Sequence, residues 1–134
     1  MKKTIFSVIL FLGLFGFVLF SHNLLMKVCK TEFNYCNTIE NSINKIDKDD
    51  KASPEWDIAN KTASELKAYT EKYYGIISVY ISHETLDLLD TETARLVEYV
   101  KEKDKIESLV SISTIESYIS TIKSLQEVRI QNIM

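Results

Sequence analysis

Beyond residue 16 this chain contains one glycine, Gly75, and one proline, Pro54. Few features restrict a fold more. All-β architectures need turn residues roughly every 8–12 positions. Dinucleotide folds and P-loops need glycines where the backbone approaches a phosphate closely. P-loop and dinucleotide folds are excluded and so are most all-β folds, and no nucleotide ligand is expected. Neither breaker interrupts residues 17 to 53, so the chain reads as long helices.

The first helix starts in an unusual way. Met1-Lys2-Lys3 precedes an apolar run from Ile5 to Phe20, relieved only by Ser7, Gly13 and Gly16. A basic start followed by a hydrophobic stretch is shared by export signals and membrane anchors. A cleavable signal has an apolar region of roughly 7–15 residues and small residues one and three positions before its cut site. This run is longer, and a cut after Ser21 would put Leu19 three positions back. A lipid-modified Cys29 is disfavoured as well, because Met26-Lys27-Val28 stands where small residues belong. Continued through Ser21-His22-Asn23 to Met26, the helix has about 22 residues and spans roughly 33 Å, enough to cross a hydrocarbon core of ~30 Å. Residues 1–26 are therefore expected to form an uncleaved anchor, with residues 5–26 in contact with lipid. Lys2, Lys3 and the terminal amine outweigh Lys27 and Lys30, which lie near Glu32. That balance favours a cytoplasmic N-terminus and an extracytoplasmic remainder, since basic flanks are retained inside.

Residues 27–134 are expected to make one domain, as about 100 residues is an ordinary domain size. The 16 basic residues less Lys2 and Lys3 leave 14 against 19 acidic ones, a net of about −5. Nucleic-acid binding needs a basic face to displace counterions from phosphate, so it is not expected. Periodicity gives four helical stretches. Leu25, Cys29, Cys36, Ile39, Ile43 and Ile46 follow alternating spacings of three and four, apart from Glu32. Ser53-Pro54-Glu55 opens a second helix, with Ser53 as cap and Pro54 at the first helical position. Its inward face is Trp56, Ala59, Ala63, Leu66, Tyr73, Ile77 and Tyr80, and it ends near Ile81. A third begins at Ser82 or His83 with Leu86, Leu89, Leu96 and Val100 inward. Asp104 and Glu107 suggest a capping box for a fourth, carrying Ile106, Leu109, Ile112, Ile115, Ile119 and Ile122. The tail from Val128 to Met134 is apolar enough to dock on the others. The expected fold is all-α: a transmembrane helix leading into an antiparallel bundle of about four helices, held together without cofactor or metal.

Candidate chemistry is sparse. Cys29 and Cys36 are seven residues apart, about 10 Å along an intact helix, and a disulfide needs Cα atoms within roughly 7 Å. They are read as buried thiols, with an intermolecular disulfide across a homodimer as the alternative. His83, Glu84 and Asp87 form a His-Glu-x-x-Asp cluster that resembles half of the zinc-protease pattern. The second histidine of that pattern is missing, so a structural corner is favoured over a metal site. Asp47-Lys48-Asp49-Asp50 makes a poor calcium loop, because Lys51 and Ala52 stand where a ligand and a glycine are needed. Tyrosine suits partner surfaces, its ring apolar and its hydroxyl wet. Trp56, Tyr73 and Tyr80 are assigned to the core, leaving Tyr69 and Tyr74 as candidate partner contacts. No Gly-x-Ser-x-Gly occurs and only His83 lies beyond the anchor, so an enzyme is not expected.

Taken together, these residues resemble a family of short proteins from Gram-positive anaerobes classed as a domain of unknown function. The resemblance rests on Met1-Lys2-Lys3 with its apolar run, Trp56-Asp57-Ile58-Ala59 after an acidic turn, and Ile81-Ser82-His83-Glu84. It continues through Asp87, Arg95-Leu96, Lys103-Asp104 and Asn132-Ile133-Met134. It spans nearly the whole chain and does not include Cys29 or Cys36. It implies a single N-terminal membrane segment and a helical outer domain, and no activity. The function expected is an interaction module for a membrane or envelope protein. The alternatives are an extracytoplasmic ligand or metal binder, or an envelope enzyme using His83, Glu84 and Asp87.

Overall fold

The polypeptide folds into four α-helices with no strand among the described residues, which in this computed structural model are 1–48 and 50–133, without the side chains of Arg129, Ile130 and Ile133. Helix α1 runs from Lys2 to Asn44, α2 from Glu55 to Ile77, α3 from His83 to Lys101 and α4 from Lys105 to Ile133. Each packs on its chain neighbour, and α4 closes the ring against α1. Among the described residues the backbones of diagonal pairs do not approach closely. The result is an up-down-up-down, square four-helix bundle, as short connections between antiparallel neighbours require.

The bundle is held together by one repeating pattern. On α1 the interior positions are Leu25, Cys29, Glu32, Cys36, Ile39 and Ile43, all buried, and buried Ile46 continues the series just past the helix end. On α2 they are Trp56, Ala59, Ala63, Leu66, Thr70 and Ile77; on α3, Leu86, Leu89, Thr93, Leu96 and Val100; on α4, Ser108, Ile112, Ile115, Ile119, Ile122 and Gln126. Spacings of three and four alternate throughout, so the apolar seam keeps facing its neighbours as in coiled coils. Glu32 does not break this pattern. It occupies an interior position and is 1% exposed.

Two sequence assignments of core residues are corrected. Ile106 is 66% exposed while Ser108 and Ser111 are buried instead. Ile106 lies in the first turn of α4, at the open end of the bundle, where no preceding turn covers it. Tyr73 is only half-buried, because the wet α1–α2 edge takes its ring.

Helix ends follow local chemistry. Ser53 Oγ accepts from the Glu55 amide at 3.4 Å, and Ser82 Oγ accepts from the Thr85 amide at 3.3 Å. Helix α2 stops at Ile77, before the expected Ile81, and a turn of Ser78–Ile81 follows in which Tyr80 and Ile81 both donate to the Ile77 carbonyl. Between α3 and α4, Asp104 Oδ1 accepts from the Glu107 amide at 3.0 Å, but Glu107 does not return the bond. The Asp104 amide donates to the Tyr99 carbonyl and the Lys103 amide to the Val100 carbonyl. That pair of bonds is the Schellman ending, and it puts Lys103 in the left-handed region at φ 57°.

Helix α1 is one uninterrupted rod of 43 residues, about 65 Å long at ~1.5 Å per residue. Residues 1–20 are exposed, and burial begins at Ser21. Its N-terminal part is long and apolar enough to cross a membrane.

Candidate functional site

The tyrosines of α2 divide between two faces. Tyr69 and Tyr73, one turn apart, stack at 4.7 Å between ring centroids, and Tyr35 of α1 adds a third ring 5.7 Å from Tyr69. All three are half-buried. Lys72 Nζ lies 5.4 Å from the Tyr73 centroid, within cation–π range. Burial raises the Tyr69 phenol above its ordinary value. Tyr74 turns away from this ladder and packs against the core. Its hydroxyl donates to Asp87 Oδ1, and that bond raises the Tyr74 phenol as well. Tyr69 and Tyr74 therefore do not form one patch. The half-buried aromatic strip is Tyr35-Tyr69-Tyr73, and Tyr35 was not anticipated because it lies on a different helix.

His83 and Glu84 are exposed at the start of α3, and Asp87 is engaged by Tyr74. The His83 ring lies 6.4 Å from the Tyr74 ring. Among the described residues no three His, Cys, Asp or Glu side chains are grouped to hold a metal. The cluster instead ties the α2–α3 corner together, with Ser82 capping and Asp87 tethering α3 to α2.

The interior carries unexpected polar groups. Glu32 receives one bond, from Thr70 Oγ1 at 3.4 Å, and burial pushes its carboxyl up to about 7. Cys29 and Cys36 flank it one turn either way as free, buried thiols. Burial, with Glu32 beside it, pushes Cys29 up to about 12 and raises Cys36 as well. A sulfur sealed inside its own bundle cannot reach that of a second copy while the bundle is closed. Nearer the opposite end, Ser111 Oγ donates to Glu92 Oε1 at 2.8 Å, and Arg95 Nη1 lies 3.4 Å from the other carboxylate oxygen. Glu32 sits where the three–four spacing of α1 continues through a polar residue, the one signal that could have found it, whereas Glu92 lies beside the seam position Thr93.

The end of the bundle away from the apolar N-terminal segment holds a cleft of about 800 Å³, lined in part by Asp47, Asp50, Trp56, Lys103 and Ile106. Several of its polar groups are committed to the fold. Lys103 Nζ donates to the Lys51 carbonyl, Lys105 Nζ to the Ile46 carbonyl and Trp56 Nε1 to the Asp50 carbonyl. Asp50 Oδ1 accepts from the Ala52 amide at 3.1 Å, and Asp49 lies outside the described residues. The cleft thus serves as a braced loop junction.

Against known families, residues 26–133 match the model described as Domain of unknown function (DUF4363). The chain belongs to this family. The match covers all four helices of the bundle and stops short of the exposed apolar segment, which separates two parts of different character on one helix. No curated protein and no solved structure matches the chain.

Proposed function

We propose that this DUF4363 protein is a single-pass membrane protein whose bundle stands on the extracytoplasmic side as an interaction module for a membrane or envelope protein. The observation that carries the reading is the continuity of α1. The same helix is fully exposed and apolar up to Phe20 and then supplies one wall of the core from Ser21 to Ile43. With no flexible linker between the two, the bundle is held at a set height and rotation above the lipid. A rigid pedestal of this kind suits presenting a surface to a neighbour rather than closing around a substrate. Tyr35, Tyr69 and Tyr73, with Lys72, are the surface it presents, since aromatic side chains are enriched where proteins meet. No catalytic role is assigned.

Photo-cross-linking amino acids at Tyr69 and Tyr73, in membranes of cells making the full chain, test this reading. Recovery of the same second protein from both sites, lost on Tyr35→Ala, is the expected result. Cross-links to the chain alone would overturn the module in favour of a homo-oligomer. Intact mass of the membrane-bound species tests the anchor, and a soluble species lacking the first twenty or so residues would refute it.

A further inference from the structure

The apolar exposed stretch of α1 is short for the task given to it. Ile5 to Phe20 is sixteen residues, about 24 Å at ~1.5 Å per residue, against a hydrocarbon core of ~30 Å. It cannot be extended along α1 alone, because Ser21 and Leu25 are 3% and 1% exposed inside the bundle. About 6 Å of apolar depth must come from elsewhere, or the bilayer must thin.

The bundle has apolar surface at that level. The α2–α3 corner reaches down beside the end of the apolar stretch: the Tyr80 hydroxyl bonds Ser21 Oγ at 2.6 Å, and its ring lies 6.3 Å from that of Phe17. Phe17 is itself part of the exposed apolar run. On the same corner Val79 is 74% exposed and Ile76 is 48% exposed, although a soluble turn would place polar residues there. Helix α4 returns to this end too. It passes Cys29 at Lys123 and continues ten residues to Ile133, about 15 Å further, with Leu125 and Val128 half-exposed.

Resting on the membrane reading above, we infer that the α2–α3 corner is a second lipid contact, with Val79 and Ile76 seated in the outer edge of the hydrocarbon and Tyr80 at the interface. The occupant is the acyl-chain boundary of the bilayer that α1 crosses. Continuity with the apolar run supports lipid, because the corner is packed on the last turn of that run. Charge agrees. Lys27 lies about 10 Å up α1 from Phe20, just above a hydrocarbon edge displaced by the missing 6 Å. Lys27, Lys30 and Lys123 line a single groove there, at the height where lysines meet lipid phosphates. Tyr80 takes the place that aromatic residues commonly hold in the interfacial belt.

The native Trp56 gives the test its internal control, since it is packed at the far end of the bundle beside Asp50. The full chain is reconstituted in phosphatidylcholine vesicles brominated near the headgroup end of the acyl chain. Wild type, Phe11→Trp and Val79→Trp are compared. Trp56 emission should be unaffected by bromine, and the emission added by Phe11→Trp should fall. The emission added by Val79→Trp should fall by about twofold or more, as for a side chain at the hydrocarbon edge. Quenching of Phe11→Trp without Val79→Trp would leave the anchor standing and overturn the corner contact. That outcome would point to a thinned bilayer, or to a second copy or partner covering Val79. Loss of quenching at both sites would refute the membrane reading itself. Exposed as it is, Val79 tolerates the larger ring, and an unchanged helical spectrum of Val79→Trp verifies the fold.

Discussion

Glu32 is the residue at which the cost of burying charge is most directly measurable. Its carboxyl is sealed among Thr70, Cys29 and Cys36, with one hydrogen bond at 3.4 Å, and burial lifts it from 4.5 to about 7. The folded protein therefore holds this proton more tightly than the unfolded chain. The stability that goes with neutral Glu32 is full below about 4.5 and is lost as pH rises through about 7. Glu32→Gln keeps the shape and the bond from Thr70 without the charge. The variant should match wild type near about pH 4 and exceed it by about 3 kcal/mol near about pH 8, at ~1.36 kcal/mol for each tenfold gain in proton affinity between 4.5 and about 7. Thermal unfolding of both chains in detergent across that range measures it; parallel profiles would mean that burial does not raise the Glu32 carboxyl. Sequence reading noticed Glu32 only as an interruption. Hydropathy ranks a carboxylate as surface, and nothing in one helix reveals that Thr70 waits opposite it 38 positions later.

Among the elements, the α3–α4 junction shows a local rule overridden. A Schellman ending requires a left-handed residue, which glycine adopts without penalty and lysine does at about 1 kcal/mol. Lys103 stands there at φ 57°, and its Nζ bonds the Lys51 carbonyl at 2.6 Å across the mouth of the bundle. Lys103→Gly should raise stability by about 0.5 kcal/mol, the relief of strain being partly offset by the lost bond and by a looser unfolded chain. Lys103→Val should lower it by about 1–2 kcal/mol, since a β-branched side chain fits this conformation worst. Chemical unfolding of the three proteins checks the order, and equal values would mean the turn relaxes freely. A capping box was legible here from Asp104 and Glu107, but only its Asp104 half formed. The Schellman bond had already taken the Asp104 amide, a competition that depends on how α3 ends.

For the whole molecule, the boundary between the exposed apolar segment and the bundle differs from the one hydropathy suggests. The apolar pattern runs on to Met26, yet residues 21 and 25 are interior to the bundle and no residue before Ser21 is buried. A chain beginning at Ser21 should therefore keep its four-helix fold and lose its stable membrane anchoring, leaving at most the weak, reversible lipid contact of the α2–α3 corner. Circular dichroism, gel filtration and vesicle flotation would check this, and an unfolded or aggregated product would show that residues 1–20 carry part of the fold. The sequence by itself determined the helical class, the four elements and most of the interior. Scarce glycine and proline leave no other backbone, and alternating spacings of three and four mark each buried stripe directly. It also marked the apolar run, which is long and apolar enough to cross a membrane. Only the tertiary structure decided that Ser108 and Ser111 lie inside while Ile106 lies out, that Tyr35 joins Tyr69, and that Tyr80 meets Ser21. Those outcomes depend on which helix faces which, at what height, and a side chain's burial is set by what arrives opposite it as much as by its own hydropathy.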